Sequence, residues 1–192
     1  MSSLPIPRIT VEEYLRIDRA AEVKSEFHDG ELFPIEAVSL AHATLAASAT
    51  GILIFNLRQS ACRVVVQPLR LLVRPTKFVY PDLMIICGRP ELTDEFQDTI
   101  TNPKVIVEVL SPSTADYDYG AKFQLYRNLS SLDEYVLIAQ NEPRVEVFRR
   151  VEGSDWLLST YSGLNAAAPV KCLELSLPLA ELYANVEFPA ES

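Results

Sequence analysis

The run Val105–Leu110 is the feature of the sequence that most constrains the fold. It reads Val-Ile-Val-Glu-Val-Leu, and a strand this rich in β-branched residues is typical of a sheet covered on both faces. Alternation along a strand places Glu108 on one face with Ile106 and Leu110. An ionised carboxylate buried without a partner is unfavourable. Glu108 must therefore meet a structural partner, a cation or a proton.

The net charge limits how the protein can interact with nucleic acid. The sequence of 192 residues carries a formal net charge of −9. Proteins that bind nucleic acid through bulk electrostatics neutralise phosphates with basic residues, so the charge excludes that class. Acidity is compatible with a nuclease, in which metal-binding carboxylates concentrate negative charge. The length predicts a single domain over residues 1–192.

The amino terminus and the cysteines predict location and redox state. Residues 1–18 contain no basic segment followed by an apolar run, so no secretory signal is predicted. Residues 37–57 are largely apolar, but they include polar side chains that argue against a membrane span. The three cysteines lack metal-type spacing, and their odd number favours unpaired thiols in a reducing compartment. We expect a cytoplasmic protein without a membrane partner.

Local patterns predict the helices and strands. Thr10 and Glu13 have capping-box spacing and begin a short helix, and an Asp29–Gly30 turn joins two alternating segments in a hairpin. Ser39 caps a long helix that ends at about residue 59. A further helix is predicted at residues 115–129, capped by Ser113 or Thr114. Strand-like segments occupy residues 62–67, 69–74, 81–87, 104–110, 134–139, 144–150 and 156–162. The order predicts an α/β fold with a mixed sheet.

Acidic residues at the ends of two predicted strands favour a cation site. Glu108 lies near the carboxyl end of its strand, where open α/β sheets place their sites, and Asp82 begins another buried strand. Two acids on neighbouring strands can bind a divalent cation through oxygen. On the following helix, Asp118, Lys122 and Tyr126 are spaced by four and line one face. Lys122 can reach Glu108 there and orient a water molecule or stabilise charge on a phosphate.

Several of these residues also have a purely structural interpretation. Asp118 and Lys122 have the spacing of a solvent-facing ion pair, and Asp82 can be a turn residue. His42, on an apolar face of the long helix, is typical of a packing residue, although it could approach the site. His28, at the hairpin turn, is expected to be exposed.

Taken together, the motifs resemble the bacterial Uma (Uma-two) family of restriction endonucleases within the PD-(D/E)xK nuclease superfamily. The resemblance covers about residues 10–150. It implies a restriction-endonuclease-like α/β (α+β) fold, with a mixed β-sheet flanked by helices, and hydrolysis of DNA phosphodiester bonds with Mg²⁺ or Mn²⁺ as cofactor. It rests on TVEEYLRI at 10–17, SEFHDGEL at 25–32, Pro81–Asp82, VEVLSPST at 107–114, Asp118, Lys122, Tyr126 and DEYVLI at 133–138.

The resemblance also implies roles for individual residues. Asp82 and Glu108 become metal ligands, assisted by the backbone carbonyl of Val109. Lys122 becomes the lysine near the attacking water, and Glu26 becomes an additional catalytic acid. Glu31 is an alternative to Glu26, because the hairpin register could shift by one residue.

One position departs from the superfamily pattern, which places the lysine two residues after the glutamate. This chain has Leu110 there, and Lys122 on the following helix takes the place of that lysine. Leu110 and the net charge keep open a second function, a catalytically silent homodimeric interaction module. A third hypothesis is a glycoside hydrolase that uses two carboxylates. It is disfavoured because the acids occur together with a lysine. The family and the Ala-rich helix lead us to expect a homodimer, with DNA as substrate.

Overall fold

The computed structural model describes residues 8–111, 118–152 and 154–188. The helices are α1 (Val11–Ala20), α2 (Leu40–Leu57), α3 (Phe123–Tyr126) and α4 (Leu179–Leu182), and a π-helical turn (Asp118–Lys122) precedes α3. The strands are β1 (Ser25–His28), β2 (Glu31–Pro34), β3 (Cys62–Val66), β4 (Arg70–Arg74), β5 (Lys77–Val79), β6 (Leu83–Cys87), β7 (Thr99–Ile100), β8 (Val105–Leu110), β9 (Glu134–Ala139), β10 (Arg144–Arg150), β11 (Trp156–Ser162), β12 (Ala167–Val170) and β13 (Leu175–Pro178).

A six-stranded mixed sheet forms the centre of the fold, with the order β11-β10-β9-β8-β6-β3. Strand β8 is antiparallel to β6 and parallel to β9. A five-stranded sheet has the order β2-β1-β5-β4-β7, and β12 pairs with β13. The predicted class, a mixed sheet flanked by helices, is confirmed. The second sheet, which carries the amino-terminal hairpin, is an addition to that prediction.

Strand β8 is buried on both faces, as its sequence predicts. Val105, Val107 and Val109 pack in a cluster with the buried face of α2. Ile106 and Leu110 pack in a second cluster with residues of α3 and β9. Burial of each such side chain contributes about 1.5–3 kcal/mol. Glu108 therefore lies on the face covered by α3, together with the apolar side chains of Ile106 and Leu110.

The amino-terminal helix and hairpin form as predicted. The Thr10 side chain accepts a hydrogen bond from the Glu13 amide, and the Glu13 side chain accepts one from the Thr10 amide, which completes the capping box. The β1–β2 turn has positive φ at Asp29 (52°) and Gly30 (100°). A Cβ atom at Gly30 would lie 2.6 Å from the Cβ of Arg8, so glycine is required there for space as well as for conformation.

Helix α2 begins after Ser39, whose side chain accepts a hydrogen bond from the His42 amide. Among the described residues it is the helix whose length and composition would allow it to cross a membrane, a criterion that core helices of soluble proteins also meet. Leu45, Ala49 and Leu53 are buried against the six-stranded sheet. This face of α2 is therefore part of the core.

The helix predicted at residues 115–129 is shorter and less regular in the structure. Its described part is the π-helical turn Asp118–Lys122 followed by a single α-helical turn. Such π-turns frequently occur at functional sites. The predicted caps, Ser113 and Thr114, lie outside the described residues.

Two of the three cysteines are paired, so the prediction of unpaired thiols is wrong for them. Cys62 and Cys87 stand opposite each other in the β3–β6 register and form a disulfide, whereas Cys172 is free. An odd number of cysteines does not exclude a pair that a sheet register brings together. Disulfides are uncommon in reducing compartments, so this pair lends no support to the expected cytoplasmic location.

The disulfide gives a direct test. We expect alkylation of the denatured protein without reductant to modify one cysteine, Cys172, and alkylation after reduction to modify all three, because Cys62 and Cys87 are joined. Mass spectrometry of the intact protein counts the modified thiols. Three modified thiols without reductant, in protein purified under non-reducing conditions, would contradict the pairing.

A buried polar network ties α1 to β4 and to the segment before β6. The Arg70 guanidinium lies 2.7 Å from Asp18 Oδ2 and donates to Thr99 Oγ1 at 3.0 Å. Arg70 also pairs with Asp98, and the Tyr80 hydroxyl donates to Asp18. Arg70 and Asp18 are each 2% exposed, so neither charge is solvated. The network fixes the side chain of Tyr80, which precedes Asp82 by two positions in the sequence.

Candidate active site

The sheet register brings the two predicted metal ligands together. Strands β6 and β8 are antiparallel with Leu83 opposite Val107, which places Asp82 opposite Glu108. The Asp82 amide is 3.3 Å from Glu108 Oε2, and the Val109 amide donates to Asp82 Oδ2 at 2.8 Å. The two acids thus lie side by side on neighbouring segments of the sheet. Each carboxylate accepts a hydrogen bond from a backbone amide at or next to the other acid. The Val109 contact seen here is its N–H.

A lysine reaches the same point from the following helix. Lys122 Nζ lies 3.0 Å from Glu108 Oε1 and 3.2 Å from Asp118 Oδ1, and the Tyr126 hydroxyl donates to Glu108 Oε1 at 2.9 Å. Asp118 and Lys122 are 2% and 9% exposed, so the alternative of a solvent-facing pair is wrong. Leu110 packs in the apolar cluster under α3. The ammonium group reaches Glu108 from the π-turn.

The hairpin register decides which acid faces the site. Glu26 lines the same cavity as Asp82 and Glu108, and its Oε1 accepts a 3.3 Å hydrogen bond from the Tyr80 amide. Glu31 pairs with His28 on the neighbouring strand and is exposed. The geometry therefore brings Glu26, and not Glu31, to the cavity.

Two histidines and a glutamine complete the surroundings of the acids. His28 Nε2 is 3.2 Å from Glu26 Oε2 and its side chain is 14% exposed, so the expectation of an exposed His28 is wrong. His42 Nε2 is 3.2 Å from Asp82 Oδ1, so this helix residue approaches the site and is not only a packing residue. Gln67 donates to Asp82 Oδ1 at 3.1 Å. Sequence reasoning missed Gln67, because no local pattern marks a residue that follows an ordinary strand.

These groups surround one cavity of about 540 Å³. We call the lining residues Glu26, Asp82, Glu108, Asp118 and Lys122 the floor of this cavity, and the lining segment 33–39 its wall. The described residues lining it are Glu26, Phe33, Pro34, Ile35, Glu36, Ala37, Val38, Ser39, His42, Gln67, Tyr80, Asp82, Glu108, Val109, Ser111, Asp118, Lys122 and Gln140. The volume is typical of a site that encloses a small molecule or one part of a larger one.

Burial and mutual charge shift the pKa values of the cluster. Burial raises the pKa of Glu108, and although Lys122 lowers it, the charges of Asp82 and Asp118 raise it, so the pKa lies above its ordinary value. Burial lowers the pKa of Lys122, but Glu108, Asp118 and Glu26 raise it more. Lys122 therefore stays charged.

Two other pKa values follow from the same contacts. Burial raises the pKa of Glu26, but the hydrogen bond from His28, the charge of Lys122 and the Tyr80 amide lower it more, so Glu26 stays ionised. Burial, followed by the charge of Glu108, raises the pKa of Tyr126 well above its ordinary value. Tyr126 therefore keeps its proton and acts as a permanent donor to Glu108.

The raised pKa of Glu108 predicts a pH dependence of stability. Above the ordinary glutamate pKa of about 4.3, the unfolded chain releases this proton while the folded protein retains it, so stability falls until the folded pKa is passed. We expect the wild type to lose stability relative to Glu108→Gln as pH rises, by about 1.4 kcal/mol for each unit by which folding raises the pKa. Urea unfolding in EDTA, between about pH 5 and 8, measures this difference. A difference in unfolding free energy that stays constant, or that shifts in favour of the wild type as pH rises, would contradict it.

The cluster suits a divalent cation in chemistry and charge. Five carboxyl groups, from Glu26, Glu36, Asp82, Glu108 and Asp118, line the cavity with one lysine. No group of three or more His, Cys, Asp or Glu side chains within the described ranges is arranged as a ready metal cage. Mg²⁺, however, is usually held by one or two carboxylates, with water and phosphate oxygens completing its shell. Asp82 and Glu108 supply donors of that kind.

Comparison with known proteins places this geometry in context. Residues 11–180 match the Uma2 family model, described as "Putative restriction endonuclease". The uncharacterized protein sll1609 of Synechocystis sp. is 38% identical over 159 residues, 82% of this chain and 90% of that protein. The uncharacterized protein slr1290 of the same organism is 28% identical over 188 residues, 97% of each. A crystal structure from Anabaena variabilis, described as a putative nuclease belonging to DUF820, has a TM-score of 0.74 at 18% identity, covering 92% of this chain and 98% of that one, which shows a shared fold.

Proposed function

The chain belongs to the Uma2 family of restriction-endonuclease-like proteins, and we propose that it hydrolyses DNA phosphodiester bonds in a metal-dependent reaction at the cavity around Asp82 and Glu108. The observation that carries the proposal is the 3.0 Å contact between Lys122 Nζ and Glu108 Oε1, beside Asp82. It combines two acids and a cation in one buried place, although the lysine comes from a different element than the usual pattern requires.

Asp82 and Glu108 would hold a Mg²⁺ or Mn²⁺ ion, with the carbonyl of Val109 as an assisting ligand. A divalent cation at this place supplies Lewis-acid chemistry toward the phosphate and toward an attacking water. The protein prepares the carboxylates for that task. Gln67 and the Val109 amide orient Asp82, while Lys122 and Tyr126 orient Glu108 through the same oxygen, Oε1.

Lys122 has two tasks in this proposal. Its ammonium group can donate to the phosphate or to the attacking water as negative charge develops. It also offsets part of the negative charge of the buried acids before a cation binds. Glu26 assists indirectly, since its charge favours the protonated form of Lys122. A catalytically silent module is less well supported. The usual position of the lysine is occupied by Leu110, but Lys122 brings an ammonium group to Glu108 from another element.

A cleavage assay tests the proposal. Supercoiled plasmid and linear DNA are incubated with Mg²⁺, with Mn²⁺ or with EDTA, and we expect cleavage in the first two only. Asp82→Asn removes the charge of one proposed ligand, and we expect it to raise the Mg²⁺ concentration for half-maximal rate by about tenfold or more. The matched control is Asp133→Asn, at an acid that is paired with Lys104 near the surface, away from the cavity.

Three results would contradict the proposal. They are no cleavage with either metal ion, cleavage that persists in EDTA, and an equal Mg²⁺ dependence in Asp82→Asn, Asp133→Asn and wild type. Circular dichroism of each variant at the assay temperature separates loss of the site from loss of the fold.

A further inference from the structure

The wall of the cavity suggests which form of DNA enters it. We propose that Phe33 is a base-stacking residue, and that the protein acts on unpaired, single-stranded DNA. This inference rests on the proposed nuclease function. It concerns the residues 33–39 of the cavity lining, to which the reaction itself assigns no role.

The hairpin register places Phe33 beside the acids. Phe33 is directly opposite Glu26 in the antiparallel β1–β2 pair, so the two side chains project from the same face of the hairpin. Both line the cavity. The Phe33 ring lies 5.0 Å from the His28 ring, and His28 in turn contacts Glu26. The aromatic ring is therefore held one strand away from the catalytic floor.

Phe33 remains accessible at this position. The residue is 45% exposed, and Val38, which lines the same wall, is 55% exposed. Strand β2 is an edge strand of its sheet, so no further strand covers it within the described part of the chain. An exposed ring in the lining of a carboxylate-rich cavity offers a flat apolar surface to a molecule that occupies the cavity.

The composition of the cavity argues against a duplex as its occupant. Surfaces that bind duplex DNA are large and strongly positive. Among the described lining residues, Lys122 is the side chain with a permanent positive charge, against the five carboxyl groups of Glu26, Glu36, Asp82, Glu108 and Asp118. Phosphate attraction by protein cations is therefore weak here, and other contacts must contribute to substrate binding.

Stacking supplies such a contact only when the base is unpaired. In a duplex both faces of each base are covered by its neighbours, and chemistry at a buried position requires the nucleotide to leave the stack. In a single strand the base faces are free, and stacking on an aromatic side chain is independent of sequence. A nucleotide whose phosphate lies at Asp82 and Glu108 would present its base to the Phe33 wall.

The test compares one labelled oligodeoxynucleotide as a single strand and annealed to its complement, with Mg²⁺. We expect the wild type to cleave the single strand with a kcat/KM at least about tenfold higher than the duplex. Phe33→Leu, which keeps an apolar side chain but removes the ring, is expected to raise KM for the single strand by about tenfold with little change in kcat. Phe33→Tyr, which keeps the ring, is expected to retain wild-type KM.

The matched control is Phe55→Leu, at an exposed ring on α2 that does not line the cavity. If single strand and duplex are cleaved equally and Phe33→Leu behaves like Phe55→Leu, the inference is wrong while the nuclease function stands. If neither DNA is cleaved, the nuclease function itself fails. Fluorescence anisotropy of the labelled single strand with Ca²⁺ in place of Mg²⁺ then decides whether Phe33 binds it.

Gel filtration adds one check, since a mass change caused by Phe33→Leu would make Phe33 a subunit contact and overturn the inference.

Discussion

Replacing Lys122 with methionine is expected to lower kcat for DNA cleavage by about 10²–10³-fold, the usual effect of removing one preorganised group that stabilises charge in a transition state. Methionine keeps an unbranched stem of similar length and removes the ammonium group that lies 3.0 Å from Glu108 Oε1. Since this group acts mainly as negative charge develops, KM for DNA is expected to change much less. Single-turnover cleavage at saturating protein and Mg²⁺ measures the rate of the chemical step.

The control for this prediction is Lys104→Met. Lys104 pairs with Asp133 near the surface, where the two side chains are 33% and 38% exposed, and it does not line the cavity. Loss of the Lys104 ammonium group is expected to keep the cleavage rate within about twofold of the wild-type rate, since exposed ion pairs contribute little to stability. Equal rates in Lys122→Met and Lys104→Met would remove Lys122 from the mechanism. The acids near Lys122 would then need another source of positive charge.

Much of this site could be predicted because its residues follow from periodicity. Alternation in β8 put Glu108 on the face of Leu110, and the spacing of four put Lys122 and Tyr126 on one helix face, which are local relations. Turn and capping residues, which are also local signals, gave the hairpin, the capping box and the start of α2. The roles of these residues remain proposals. The structure shows that they lie close together, because the Tyr126 hydroxyl and Lys122 Nζ are 2.9 and 3.0 Å from the same oxygen of Glu108.

What the sequence could not provide are contacts between elements far apart in the chain. Gln67 reaches Asp82 because β3 and β6 pair, and His42 reaches it because α2 packs across the same sheet. The Cys62–Cys87 pair likewise depends on strand register, which cysteine counting does not contain. The π-helical turn could not be predicted from spacing, since a helix of either kind brings Asp118 and Lys122 close together.

The second large effect is expected in stability, at the network that supports Asp82. Arg70→Met is expected to reduce the free energy of unfolding by about 3–5 kcal/mol, because it leaves the buried Asp18 carboxylate without its cation. For a protein of this length, the midpoint of thermal unfolding should fall by about 6–20 °C. Asp18 also accepts a hydrogen bond from Tyr80, two residues before Asp82. Cleavage below the new unfolding transition should therefore also fall, as Asp82 becomes less well positioned.

Two variants separate this explanation from a general effect of losing an arginine. Arg74→Met removes an ion pair with Asp29 whose side chains are 51% and 44% exposed, so it should cost less than about 1 kcal/mol. Adding Asp18→Asn to Arg70→Met removes the unpaired buried charge, and we expect it to restore part of the lost stability. If Arg70→Met and Arg74→Met shift the unfolding midpoint equally, or if the added Asp18→Asn lowers stability further, the cost does not come from an uncompensated charge. Tyr80 would then be held chiefly by the packing around its ring.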